Sequence, residues 1–156
     1  MSVVFVCTGN TCRSPMAEQI SKKYIEEFQM QDVVRVSSAG VSAWAGSAMS
    51  DGARRALLRR QVQEPGEHMA RRVSAEVLGE ADLVLTMAES HRRALMDEYP
   101  QYRQKIYTLQ SYALGTEGDI ADPYGGDDAA YEQAARQIEA ACRELALKLR
   151  AKLGKL

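Results

Sequence analysis

Two kinds of hydrophobic pattern alternate along the chain. Residues 3–7 form a continuous apolar run of strand length, typical of a strand buried on both faces of a parallel sheet. Three further predicted strands, rich in apolar residues, span 33–40, which glycine closes, 82–87 and 105–109. Apolar residues at helical spacing fill the segments after them, at residues 14–28, 53–62, 74–81, 89–99 and 129–153. The alternation predicts an α/β fold in which a four-stranded parallel sheet carries helices on both faces.

The first and last helices have the clearest apolar stripes. Serine often precedes a helix and proline suits the first helical position, so we expect Ser14 to cap the first helix and Pro15 to begin it. Ligands of parallel sheets bind outside the carboxyl ends of the strands, which is where this helix starts. The predicted stripes are Ala17, Ile20, Tyr24 and Phe28 in the first helix, and Ile138, Ala141, Leu145, Leu149 and Leu153 in the last.

The composition suits one compact domain over residues 1–156, because 46% of the residues are hydrophobic. A formal net charge of −1 gives no general attraction to nucleic acid or to an anionic membrane. The N-terminal segment has no basic region and only a short apolar run, so we expect no signal peptide, and no run approaches membrane-spanning length. Three cysteines, Cys7, Cys12 and Cys142, do not make a disulfide framework, and Cys142 falls on a helix as a core residue. We expect a cytoplasmic monomer.

The segment CTGNTCRSP, residues 7–15, joins the first strand to the first helix. Cys7 and Arg13 bracket a short arc that can curl around a tetrahedral anion with its backbone N–H groups inward, where the helix adds its positive dipole end. Gly9 and Asn10 lie where the backbone must approach a ligand closely. A thiol in this setting is favoured as a thiolate, so Cys7 is the predicted nucleophile, with Arg13 as a bidentate phosphate clamp.

A phosphocysteine mechanism also requires a general acid that protonates the leaving group and then acts as a base toward water. Asp122 lies in the loop GDIADPYGG, residues 118–126. It precedes Pro123, which favours an extended backbone and fixes how the loop presents the carboxylate. Ser14 can donate its hydroxyl to the sulfur and ease its departure, and Tyr124 is placed to wall the pocket.

Each of these residues has a simpler interpretation. A cysteine that closes a strand is usually a small core residue, and a loop aspartate such as Asp122 usually begins a turn. Tyr124 alternatively packs on its own loop. The combination favours the catalytic interpretation, because the cysteine–arginine motif sits at a strand end and is matched by an acid. The two histidines and three cysteines have no zinc-ligand spacing, so we expect no metal and no other cofactor.

The chain resembles the low-molecular-weight protein tyrosine phosphatase family over essentially its whole length. The likeness rests on VFVCTGNTCRSPMAE, SSAGVSAWAG, ADLVLTM and ADPYGG, in the family's order and spacing. It implies a Rossmann-like sheet and metal-free hydrolysis of phosphate from protein side chains, with Cys7, Arg13 and Asp122 as the catalytic residues. It further implies phosphate or substrate contacts from Thr8, Gly9, Asn10, Thr11, Cys12, Ser14, Trp44 and Tyr124, and a supporting hydrogen-bond network of Asn10, Ser14, Ser38 and His68.

Thr11 departs from the commonest family pattern, which has isoleucine or another bulky aliphatic residue there. In this it is similar to the bacterial protein-arginine phosphatase branch, as is GDIADPYGG, although that branch has phenylalanine where Tyr124 stands. Threonine narrows the apolar rim, and its hydroxyl can orient a guanidinium or the attacking water. We therefore expect hydrolysis of the P–N bond of phosphoarginine in proteins. The alternative is that Thr11 is a neutral rim substitution and that the substrate is phosphotyrosine.

Four other residues remain open to interpretation. Trp44 either lines the pocket mouth or anchors its loop, and His68, apart from the family likeness, is a surface or core histidine. His91 is interpreted as a surface residue. Cys12 lies five residues after Cys7, and we hypothesise a reversible disulfide between them that protects Cys7 from overoxidation. The alternative is that Cys12 is an inert neighbour.

Two further functions compete with phosphatase activity. Arsenate reduction on the same fold needs further cysteines to relay a disulfide, and only the distant Cys142 remains. A non-catalytic phospho-residue binder or a phosphoryl carrier needs no leaving-group acid, so the pairing of Arg13 with Asp122 argues against it. The expected partners are phosphorylated protein substrates.

Overall fold

The four strands form one parallel sheet in the order β2–β1–β3–β4. This is seen in a computed structural model that describes residues 1–62 and 66–154. The predicted second strand is shorter than expected, because the N–H groups of Val33 and Val34 bond to the carbonyl of Met30 in a turn. The strands are β1 (Ser2–Cys7), β2 (Arg35–Gly40), β3 (Leu83–Thr86) and β4 (Ile106–Thr108).

Helices cover both faces of the sheet, as predicted. Val3 and Phe5 of β1 pack into a core shared with the first, second and last helices, whereas Val4 and Val6 face the third and fourth helices. This division follows from the alternation of side chains along a strand. The α-helices are α1 (Arg13–Glu27), α2 (Asp51–Arg59), α3 (Ala75–Glu80), α4 (Glu89–Glu98), α5 (Leu109–Leu114) and α6 (Asp128–Lys152), and a 3-10 helix spans Pro100–Lys105.

The starts of two helices differ from the sequence prediction. α1 begins at Arg13 with Cys12 in the cap position, so Ser14 is not the cap and Pro15 is not the first helical residue. The reason is that the Ser14 hydroxyl is used in the site described below. α2 begins at Asp51, earlier than expected, because the Ser50 hydroxyl accepts the N–H of Ala53.

The predicted stripe of the last helix is confirmed except at its end. Ile138, Ala141, Leu145 and Leu149 are buried, and Cys142 beside them is fully buried, as expected. Leu153 lies beyond the last residue of α6 and is partly exposed. α5 and the 3-10 helix were not predicted.

Among the described residues, no helix combines the length and apolarity needed to cross a bilayer. The assignment of residues 1–156 to one domain stays a prediction, as do the cytoplasmic location and the monomeric state. The fold places the carboxyl ends of β1 and β2 at the start of α1, and the remaining description concerns that edge.

Candidate active site

The backbone of residues 8–13, called here the phosphate loop, turns its carbonyls away from one common centre. The carbonyls of Thr8, Thr11 and Cys12 accept the N–H groups of Ser42, Ser50 and Met16 at 2.9, 3.0 and 3.1 Å. The carbonyl of Asn10 accepts Nε2–H of His68 at 2.7 Å. Because N–H and C=O point in opposite directions across a trans peptide, these bonds turn the N–H groups of the following residues inward. The loop is thus built to bind an anion.

Two backbone features let the phosphate loop take this shape. Asn10 has a φ of 56°, in the left-handed region that asparagine tolerates better than most residues. Gly40 at the end of β2 lies so close that a Cβ there would be 2.5 Å from the carbonyl oxygen of Thr8. Gly9 is different, since a Cβ there would meet only the Thr11 hydroxyl at 3.7 Å. Protein packing therefore leaves room at Gly9 for a side chain.

The sulfur of Cys7 lies beneath this loop and is nearly buried. It accepts the N–H of Asn10 at 3.3 Å and lies 2.9 Å from the hydroxyl oxygen of Ser14. The amide of Asn10 donates to the same hydroxyl at 2.9 Å, so the single Ser14 proton is directed either to the sulfur or to the carbonyl of Ala39 at 3.4 Å, and the sulfur is the nearer acceptor. The N–H of Asn10 and the hydroxyl of Ser14 thus both lie within hydrogen-bond distance of the sulfur. Ser14 is therefore a partner of Cys7.

The side chain of Asn10 is the centre of a buried network that extends behind the loop. Its amide donates to Ser14 and Ser38, both at 2.9 Å, and its oxygen accepts the N–H of Arg71 at 3.0 Å. The hydroxyl of Ser38 extends the network by donating a hydrogen bond to the carboxylate of Glu18 at 2.6 Å. The network joins α1, β2 and the segment before α3. Ser38 and His68 take the supporting positions that the family likeness implied, whereas Glu18 and Arg71 were not predicted.

Arg13 and Asp122 face each other across the mouth of the loop. The guanidinium is buried and donates to the carbonyl of Ile120 at 3.2 Å, while its other terminal nitrogen lies 3.5 Å from Oδ2 of Asp122. Oδ1 of Asp122 accepts the N–H of Tyr124 at 3.2 Å. The aspartate therefore begins a turn and also faces the site, so the two interpretations of this residue are compatible.

A cleft of about 330 Å³ opens above the sulfur. Asn10 and Ser14, expected among the phosphate-contacting residues, have fully buried side chains behind the loop. Trp44 and Tyr124 stand at the mouth, 84% and 79% exposed, and Ser42 and Ser47 also line the cleft. The predicted residues that line it are Cys7, Thr8, Gly9, Thr11, Cys12, Arg13, Trp44, Asp122 and Tyr124.

His91 is not a surface residue, and the interpretation made from the sequence is wrong. The side chain is 4% exposed, its Nδ1 accepts the N–H of Ala88 at 3.1 Å, and its Nε2 lies 2.9 Å from the hydroxyl of Thr8. Burial, helped by the positive charge of Arg13, lowers the pKa of His91 to about 4. A buried, neutral imidazole thus touches the residue next to the nucleophile.

Cys12 occupies a small polar cluster with Ser50 and Tyr131. Its sulfur lies 3.2 Å from the hydroxyl of Ser50 and 3.4 Å from that of Tyr131. Burial, followed by the contact with Cys12, raises the pKa of Tyr131, which stays a neutral phenol. Cys7, Cys12 and Cys142 are all free thiols. The disulfide between Cys7 and Cys12 stays a hypothesis.

Three comparisons with known proteins agree with this geometry. Residues 2–155 match the family model described as low molecular weight phosphotyrosine protein phosphatase. A protein-arginine-phosphatase of Bacillus subtilis is 37% identical over 96% of this chain and 97% of its own length. Low molecular weight protein-tyrosine phosphatase A of Mycobacterium tuberculosis is 35% identical over 90% of this chain and 86% of its own.

A solved structure is equally similar. The YwlE arginine phosphatase, in a C7S mutant with a phosphorylated active site serine, superposes with a TM-score of 0.91 at 37% identity, covering 96% of both chains. The match extends over almost the whole chain, and its sequence identity is too high for a likeness of fold alone. The chain belongs to the low-molecular-weight phosphotyrosine protein phosphatase family.

Proposed function

We propose that this protein hydrolyses phosphoarginine in proteins through a phosphocysteine formed on Cys7. The observation that carries the chemistry is the placement of a buried sulfur, with two hydrogen-bond donors aimed at it, beneath a ring of inward N–H groups. Arg13 and Asp122 complete the set of groups that such a reaction needs. A phosphorylated serine in the active site of the C7S relative supports covalent chemistry.

In the first step the Cys7 thiolate attacks phosphorus, an S–P bond forms, and the bond to the leaving nitrogen or oxygen breaks. Asp122 transfers a proton to the leaving atom, so that an arginine leaves as the guanidinium and a tyrosine as the neutral phenol. Arg13 and the inward N–H groups hold the equatorial phosphoryl oxygens and stabilise their charge in the in-line transition state. Arg13 is already oriented for this role by the carbonyl of Ile120.

In the second step water attacks the phosphocysteine, an O–P bond forms, and the S–P bond breaks. Asp122, now a carboxylate, accepts the water proton, and inorganic phosphate leaves. The sulfur departs as a thiolate, and the hydroxyl of Ser14 stabilises it by donating a hydrogen bond across the 2.9 Å contact. This assignment explains why Ser14 sits beside the sulfur and does not cap the helix.

The preference for phosphoarginine is supported by Thr11 and by the relatives. Thr11 lines the cleft where a bulky aliphatic residue would widen the apolar rim, and its hydroxyl complements a polar guanidinium better than a phenol. The Bacillus subtilis relative carries the name of an arginine phosphatase. A phosphotyrosine phosphatase is the second candidate, favoured by the exposed aromatic side chains of Trp44 and Tyr124 at the cleft, which offer surfaces for a flat ring to stack on.

The two substrates are separated by kcat/KM on a pair of peptides that differ only in carrying phosphoarginine or phosphotyrosine. We expect the wild-type protein to prefer phosphoarginine. Thr11→Ile should lower kcat/KM for phosphoarginine and raise it for phosphotyrosine, with Thr11→Ser as the control that keeps the hydroxyl. A wild-type preference for phosphotyrosine would remove the arginine assignment and leave the phosphocysteine chemistry intact.

The location and assembly of the protein are further parts of the proposal. We infer a cytoplasmic monomer whose substrates are phosphorylated proteins and that binds neither nucleic acid nor membranes, supported by a net charge of −1 and by free cysteines. Sedimentation equilibrium gives the mass in solution. A dimer at micromolar concentration would contradict the monomer.

A further inference from the structure

One contact of the site has no role in the chemistry described so far. The hydroxyl of Thr8, an exposed side chain on the cleft wall, lies 2.9 Å from Nε2 of the buried His91. Thr8 directly follows the nucleophile, and its carbonyl is fixed by the N–H of Ser42. Its backbone and its side chain are therefore both held in place.

The direction of the hydrogen bond between these residues follows from the other ring nitrogen. Nδ1 of His91 accepts the N–H of Ala88, the residue before α4, and an N–H group only donates. The burial that keeps the imidazole neutral leaves it a single proton, which must then be on Nε2. Nε2 is accordingly the donor and the oxygen of Thr8 the acceptor. The Thr8 proton is left free to point elsewhere.

Thr8 lines the cleft above Cys7, so its free proton can be directed to an anion bound there. If the imidazole had the opposite tautomer, Thr8 would donate to it and turn only lone pairs toward the phosphoryl group. An N-terminal capping role alone does not explain the choice of histidine, because glutamine or glutamate at this position of a helix accepts the same N–H. An imidazole caps α4 and also reaches Thr8 with its second nitrogen.

We propose that Thr8 is a further catalytic residue, whose hydroxyl donates a hydrogen bond to the phosphoryl group in the transition state, and that His91 is the positioning residue that aims it. The inference rests on the proposed function only in placing a phosphoryl group above Cys7. It is independent of whether the phosphate comes from arginine or tyrosine.

The test compares orthovanadate, which mimics the five-coordinate transition state, with inorganic phosphate as inhibitors of p-nitrophenyl phosphate hydrolysis. Thr8→Val keeps the shape and removes the hydroxyl, and we expect it to weaken vanadate inhibition by about 10- to 100-fold, the value of a hydrogen bond to a charged group. Inhibition by phosphate should weaken less. Thr8→Ser, which keeps the hydroxyl, should stay within about twofold of the wild type.

The role of His91 is tested by a second matched pair. His91→Met removes the donor and should weaken vanadate inhibition, whereas His91→Gln, with an oxygen for the N–H of Ala88 and an amide N–H for Thr8, should restore most of it. In the Thr8→Val background His91→Met should cause no further loss, because both changes break the same contact. Additive losses would overturn the positioning role of His91.

Other outcomes bear on the two proposals separately. Vanadate inhibition of Thr8→Val within about twofold of the wild type would overturn the role of Thr8 and leave the phosphocysteine chemistry untouched. A wild-type protein that neither vanadate nor phosphate inhibits would overturn both. The Thr8 variants give this answer even if His91→Met fails to fold, because Thr8 is exposed in the cleft.

Discussion

The phosphate loop and the loop that carries Asp122 present their reactive groups in opposite ways. Cys7 is buried and surrounded by the Asn10 network, which draws on three parts of the fold. Asp122 is 56% exposed at its side chain and contacts little beyond Arg13 and the N–H of Tyr124. The nucleophile is thus fixed by the core, while the acid is left accessible to water and to varied leaving groups.

The Asp122 loop is nevertheless anchored just before the acid. The N–H of Ile120 bonds to the carbonyl of Met87 at 2.9 Å, the N–H of Ala121 bonds to Gln137 at 2.8 Å, and Ile120 is buried. The carbonyl of Ile120 also receives Arg13. The contrast therefore arises within three residues, because Ile120 is buried, Ala121 is half-buried and Asp122 is exposed.

The largest expected effect tests this division at the acid. Asp122→Asn should lower kcat by about 10²- to 10⁴-fold, as expected for loss of a general acid. It should leave the melting temperature almost unchanged, because the side chain is mostly exposed. The loss should be smaller for p-nitrophenyl phosphate, whose leaving group needs little protonation, than for phenyl phosphate. Equal losses on both esters would show that Asp122 is not the acid in the first step.

How far the site could be predicted from the sequence follows the same division. Cys7, Arg13 and Asp122 lie within short contiguous motifs whose backbone context is local, and the structure brings all three to one cleft. Glu18 and Arg71 reach the loop from other elements, and nothing in the local sequence marks such contacts. The fold itself was predictable, because apolar runs and helical stripes report burial directly.

His91 and Ser14 were misjudged for a different reason. Histidine next to Glu89 and Arg92 has the pattern of a solvated helix face, yet its position at the third residue of α4 turns it back to Ala88 and Thr8. Ser14 fits a cap by residue type, but the sulfur competes for its hydroxyl. In both cases a tertiary contact with the phosphate loop outweighs the local preference.

The second prediction removes the centre of the buried network. Asn10→Ala leaves Ser14, Ser38 and the N–H of Arg71 without a shared partner and puts alanine at a positive φ. We expect the free energy of unfolding to fall by about 3 to 5 kcal/mol, since each buried polar group left without a hydrogen bond costs about 1 to 3 kcal/mol. Urea denaturation measures this. Ser38→Ala removes only one hydrogen-bond partner of Asn10 and should lower the free energy of unfolding by about 1 to 2 kcal/mol. Equal losses in the two variants would show that Asn10 is not the centre of the network.

The third prediction uses the pH dependence of stability. The pKa of His91 is about 4 in the fold, against an ordinary 6.5. Between these two pH values the unfolded chain binds the proton and the folded chain does not. The stability that the neutral His91 contributes to the folded state is therefore fully present above pH 6.5 and is lost as the pH falls to 4. The loss should reach about 3 kcal/mol. Urea denaturation at pH 7 and pH 4.5 measures this loss of stability, which should be smaller in His91→Gln than in the wild type. The same loss in both proteins would contradict a lowered pKa of His91.

The smallest expected effect concerns Cys12, which is buried like Cys7 but takes no part in the chemistry proposed here. Cys12→Ser keeps a polar atom beside Ser50 and Tyr131, so kcat should change by less than about threefold, since no transition-state contact is lost. After peroxide treatment the wild type should regain activity with dithiothreitol, while the variant should not, because its Cys7 sulfenic acid has no neighbouring thiol to form a disulfide. Equal recovery of activity in both proteins would show that Cys12 does not protect Cys7 from overoxidation and that its role is in packing alone.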